Sequence, residues 1–153
     1  MSRSVVIADS SCLIALDNIG ELELLPKLFT KIFITLEVST EYGKPLPKWI
    51  EIRTGSRANN QIEKLKILDA GEASSIALAL DSTDSLLIID EKKGRRIAEE
   101  MGIEIIGTVG IILEANAAGL IELSGTIVER LESANFRISK ALRSKLINPD
   151  RRV

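Results

Sequence analysis

Residues 86–89 are Leu-Leu-Ile-Ile, four large apolar side chains in a row, and Asp90 and Glu91 follow at once. A strand sends alternate side chains to opposite faces of a sheet, so a run without a polar member must be covered on both faces. That is the condition of a strand inside a parallel sheet with helices above and below. Related runs occur at SVVIA (4–8), KIFIT (31–35) and IEIIG (103–107). Helix-like segments lie between them. Asp9, Ser10 and Ser11 are each able to cap the helix suggested by LIALDNIG, which Gly20 would close. ELELLPKLF and LEVSTEY are further short helices, and Ala73, Ile76, Ala77 and Leu80 fall on one face of a helix starting near Gly71. EKKGRRIAEEMG and TVGIILEANAAG follow the last two apolar runs, and WIEIR (49–53) alternates as a short edge strand would. The order β-α-α-β-α…α-β-α-β-α predicts an α/β fold with three layers, α/β/α, around a mostly parallel central sheet of four to five strands. Residues 1–123 are expected to form this domain. Residues 124–153, with SGTIVERLES and FRISKALRSKLI, would be a helical C-terminal extension packed on it.

Composition narrows the chemistry. The hydrophobic share of 45% with only 3% aromatics suits an α/β protein better than a β-sandwich. A net charge of −2 gives no overall signature of nucleic-acid binding, so any such contact needs a local basic patch. The single Cys12 excludes an internal disulfide and a multi-cysteine zinc site. There is no histidine, which removes His-activated nucleophiles and His-ligated metals and leaves carboxylates and lysines for acid–base work. No apolar run approaches the roughly 18 residues of a membrane span. The opening MSRSVVIADSS lacks a long apolar signal core, so a cytoplasmic protein is expected.

In open parallel sheets, sites form at the carboxyl ends of the strands. The first run delivers Asp9 there, LLII delivers Asp90 and Glu91, and IEIIGT delivers Thr108. Glu41, six residues past the second strand, would lean back over the same edge, and Glu72 opens the helix leading into LLII. Each acid alone has an ordinary explanation: a cap, a helix-dipole partner or a solvated surface charge. Together they are different. Two carboxylates about 5 Å apart repel by roughly 3 kcal/mol at an effective dielectric near 20, so a cluster needs protonation, basic neighbours or a cation. Lys92, Lys93, Arg95 and Arg96 are near in sequence, yet a hard ion with oxygen ligands, Mg²⁺ or Mn²⁺, suits a His-free acidic crevice best.

With these residues in view the chain resembles a PIN domain, the metal-dependent ribonuclease fold of VapC-type toxins. VVIADSSCLIAL resembles the opening strand and its Asp-Ser turn, and TLEVSTEY the segment carrying the second acid. LDAGEASSIALAL, followed by LLIIDEKKGRRIAEEMGIEIIGTVG, resembles one prokaryotic branch most closely. The likeness runs from about residue 4 to 121. It implies acids at Asp9, Glu41 and Glu72 with a fourth from Asp90 or Glu91. It also implies Ser11 supporting the first acid, Thr108 at a strand end and an Arg at Arg95. A homodimer, an RNA substrate and a cognate antitoxin are implied as partners. The chain departs from many members in having Glu at 72 and Ile89-Asp90-Glu91 in place of Thr-x-Asp.

The expected activity is therefore Mg²⁺- or Mn²⁺-dependent hydrolysis of RNA by the toxin of a toxin–antitoxin pair. The alternative is a non-catalytic interaction module with a degenerate acidic site. Arg137 and Lys140, on a stretch with six Lys/Arg against one Asp, would make a phosphate-contacting stripe with Lys145. Receiver domains and Asp-x-Asp phosphatases are disfavoured by Ser10 and Ser11, and no G-x-G-x-x-G supports a dinucleotide site.

Overall fold

The computed structural model describes residues 5–147. Five strands form one sheet in the order β3-β2-β1-β4-β5: β1 (Val5–Ala8), β2 (Ile32–Ile34), β3 (Ile50–Ile52), β4 (Ser85–Ile88) and β5 (Glu104–Ile106). Every pairing is parallel, so the expected "mostly parallel" sheet is wholly so. The alternation of side chains divides the interior in two. Val6, Ala8, Leu86 and Ile88 point into one core, and Ile7, Leu87 and Ile89 into the other. This is why LLII needs no polar member.

The first core is covered by α1 (Ser10–Asn18), α2 (Leu24–Phe29), α3 (Leu36–Tyr42) and α7 (Thr108–Ala117), through residues such as Leu13, Leu25, Val38 and Ile111. The second is covered by α5 (Ala70–Ala79) and α6 (Lys92–Glu100), through Ile76 and Ile97, with Leu65 from a 3-10 turn at Glu63–Ile67. A short α4 (Arg57–Asn60) precedes that turn. The result is the three-layer α/β/α arrangement. Gly20 and Gly43 end their helices at φ 74° and 69°, where a side chain would be strained.

The C-terminal helices α8 (Gly125–Ser133) and α9 (Lys140–Ile147) bury Ile127, Val128, Leu131 and Leu146 in the same core as α1 and α7. Each fully buried aliphatic side chain contributes about 1.5–3 kcal/mol, so these helices are integral to the fold. The apolar residues of α2 also turn inward, with Leu24 and Leu25 buried. Among the described residues no helix is long and apolar enough to cross a membrane. Ser4 and the basic Arg151 and Arg152 lie outside the described residues.

Candidate active site

A cleft of about 870 Å³ opens at the carboxyl end of the sheet, where the strand order places the ends of β1, β4 and β5 side by side. Asp9, Asp69, Glu72, Asp90 and Glu91 line it, with Ser10, Ser11 and Gly107. Asp9 follows β1 and occupies the N-cap position of α1, yet its side chain makes no capping hydrogen bond. It is 4% exposed, and its Oδ1 is the one buried side-chain polar atom among the described residues without a partner. Burial raises its pKa from 3.8 to about 7. The Ser10 backbone N–H pulls it down, and the charges of Asp69, Glu41 and Asp90 push it up again.

Asp90 is held firmly. The Thr108 backbone N–H donates to its Oδ1 at 2.8 Å and the Thr108 hydroxyl to its Oδ2 at 2.5 Å. Thr108 is fully buried at the start of α7, so β5 delivers the group that fixes the acid from β4. Ser11 donates to Asp90 Oδ2 at 3.4 Å. That corrects the expectation that Ser11 supports the first acid: on the first turn of α1 its hydroxyl faces β4. Cys12 lies beneath, fully buried, with its thiol pKa raised by burial and by the charge of Asp90.

Glu72, on the first turn of α5, is 5% exposed. Its pKa is raised by burial first, then by a hydrogen bond with the Asp69 side chain and the charges of Asp69 and Asp9. Asp69 is the N-cap of α5 and accepts the Glu72 backbone N–H at 2.9 Å. Sequence reading did not single Asp69 out, although Asp-x-x-Glu ahead of an apolar helix is a capping signature. Glu41 comes from α3 at the margin of the cleft, where Ser10 donates to its Oε1 at 2.8 Å. Its carboxylate occupies the space beside Gly71, where an added Cβ would meet Oε1 at 2.1 Å. A Thr35–Ser74 hydroxyl contact of 2.7 Å ties the start of α3 to α5 behind it.

Glu91 behaves as a cap. Its side chain accepts the Lys93 backbone N–H at 3.1 Å, and the residue is exposed. Of the acidic pair after LLII, Asp90 is therefore the one in the hydroxyl-lined interior. Arg95 lines the cleft and donates from Nη1 to the Ile89 carbonyl at 2.8 Å, whereas Lys92, Lys93 and Arg96 are exposed. Arg137 and Lys145 also line the cleft, but Lys140 does not, so the basic stripe expected along one helix face is instead a pair of residues turned toward the site.

The donors gathered here are hard oxygens, and Asp9 Oδ1 is buried without a hydrogen bond. In both respects the residues fit a divalent cation. Among the described residues, however, no three acidic side chains stand close enough together to hold a metal ion between them as they are placed. Ser10 holds Glu41, Ser11 and Thr108 hold Asp90, and the Glu72 backbone N–H holds Asp69.

A wholly parallel α/β/α domain thus presents carboxylates from several parts of the chain at its strand ends. Comparison of the sequence with family models goes further: the model described as a PIN domain matches residues 5–149. The chain belongs to the PIN-domain family. The fold is thus a nuclease fold, of a kind that typically binds divalent metals. No curated protein sequence matches the chain.

Proposed function

We propose that this protein is a metal-dependent ribonuclease that hydrolyses RNA phosphodiester bonds, as the toxin of a toxin–antitoxin pair. The observation that carries the reading is Asp9. It is a buried carboxyl with an unsatisfied oxygen, raised to about 7 by burial and by the charges of Asp69, Glu41 and Asp90. A residue placed so is costly for stability and is accounted for by a function.

Asp9, Glu72 and Asp90, with Glu41 at the margin, would hold Mg²⁺ or Mn²⁺. When bound, the ion supplies an acidified water and neutralises charge on the phosphate. Thr108 fixes the direction of Asp90, Ser10 that of Glu41, and Asp69 is placed to orient Glu72. With no histidine in the chain, a carboxylate would take the proton of the attacking water, and Asp69, outside the acids that would hold the ion and hydrogen-bonded to Glu72, is the candidate. The test is cleavage of single-stranded RNA in Mn²⁺ by the purified protein beside Asp9→Asn. Cleavage by the first alone supports the reading, and equal cleavage by both assigns it to contamination.

A second reading has its own support. The acids do not converge as placed, and Glu stands at 72 where many members have Asp, as a non-catalytic interaction module would allow. Calorimetry with Mn²⁺ separates the two, because absence of binding at millimolar metal favours the module. The toxin reading carries an antitoxin partner and a homodimer. Since Leu24 and Leu25 are spent inside the molecule, Leu36 and Ile67, 61% and 60% exposed, are better candidates for such contacts. Light scattering and a short open reading frame beside the gene are the corresponding observations.

A further inference from the structure

The cleft is two-signed. Besides the acids it is lined by Arg95, Arg137 and Lys145. A cation beside several carboxylates ordinarily closes onto one of them, yet among the described residues none of these three forms an ion pair. The fold keeps them apart. Arg95 is anchored on the Ile89 carbonyl, and Gly107 leaves room for its guanidinium next to Asp90: a Cβ there would lie 2.9 Å from Arg95 Nη1 and 3.0 Å from Asp90 Oδ1. Arg137 is presented by the corner after α8. Asn135 turns the chain at φ 64°, the Phe136 N–H bonds back to the Leu131 carbonyl, and the Phe136 ring packs against the first core. Lys145 precedes Leu146, whose burial fixes α9 against the same core.

We propose that the C-terminal helices complete the site: Arg137 and Lys145, lining the same cleft as Arg95, form a phosphate-binding pole that seats the backbone of single-stranded RNA beside the acids. This rests on the RNA reading above. The substrate is then a polyanion, with one phosphate over the acids and neighbouring ones on Arg137 and Lys145. The chain then needs no net positive charge, because the attraction is local and the acids are countered by the cation they hold.

The test is fluorescence anisotropy of a labelled single-stranded RNA of about a dozen nucleotides, with Ca²⁺ replacing Mn²⁺ to hold off cleavage. Arg137→Gln with Lys145→Gln, both exposed side chains, should weaken binding at least tenfold. It should also lower the slope of log affinity against log salt by about 1.4, at about 0.7 per phosphate contact on a single strand. Mn²⁺ affinity by calorimetry should be unchanged, and Lys140→Gln should bind RNA as the parent does. RNA affinity unaltered in the double variant overturns the proposal. So does an equal loss in Lys140→Gln, which would mean a diffuse basic surface, and so does a parent protein that binds no RNA. A parent that binds RNA without cleaving it, with binding lost in the double variant, sinks the nuclease reading and leaves the phosphate pole standing.

Discussion

Replacing Asp9 with Asn should make the metal-free protein more stable while disabling it. A carboxyl whose pKa is 3.8 in the unfolded chain and about 7 in the fold keeps its proton longer when folded. The stability tied to this group is therefore intact below about pH 3.8, falls as pH rises toward 7, and is flat above. At about 1.4 kcal/mol per pH unit, the loss at pH 8 is about 4 kcal/mol relative to a neutral group. An Asn amide recovers part of that, because its Nδ2 protons need acceptors that Asp69, Glu41 and Asp90 supply incompletely. A gain of about 2 kcal/mol is the expectation, or about 4–8 °C in Tm for a domain of this size. Calorimetric melting in EDTA at pH 8 and pH 4 reads it, and at pH 4 the gain should shrink below about 1 kcal/mol as both forms become neutral. Adding Mn²⁺ at pH 8 should raise the Tm of the parent and not that of the variant. A variant no more stable than the parent at pH 8, and still raised by Mn²⁺, would refute the claim that Asp9 is a strained, cation-seeking carboxylate.

Two further substitutions test neighbouring parts of the structure. Gly71→Ala puts a methyl where the Glu41 carboxylate lies, so Glu41 should leave Ser10 and Mn²⁺ affinity should fall several-fold by calorimetry. Thermal stability should hold or rise by up to about 1 kcal/mol from the better helix former. Leu131→Ala, at a fully buried position of α8, should cost about 2–5 kcal/mol in urea unfolding in a single transition, whereas a separable appendage would melt apart from the rest.

The sheet was legible because apolar runs of three to five residues at strand length have few other uses, and even WIEIR found its place at the β3 edge. RANN and EKLKI were not read as α4 and a 3-10 turn, since one buries no residue and the other only Leu65, leaving no periodicity to see. At the site, residue type located the acids, but partnership needed topology. Asp69 looks like a helix cap and is one, and its closeness to Asp9 and Glu72 follows only once α5 lies against β1 and β4. Ser11 answers to Asp90 across the sheet and not to its neighbour Asp9. Arg137 and Lys145, one on a corner and one on α9, share a cleft that no helical wheel predicts.

The strand order also governs how such a chain is born. β1 emerges first from the ribosome yet ends in the middle of the sheet, with Val5 waiting for Ser85. Until then a nascent chain holds at best the half-sheet β3-β2-β1, with one raw edge and an uncovered apolar side, a species that invites chaperones or self-association. Such long-range closure is slow. Asp90 and Thr108 arrive only with the later strands, so no translation product truncated before them can assemble the acidic cleft.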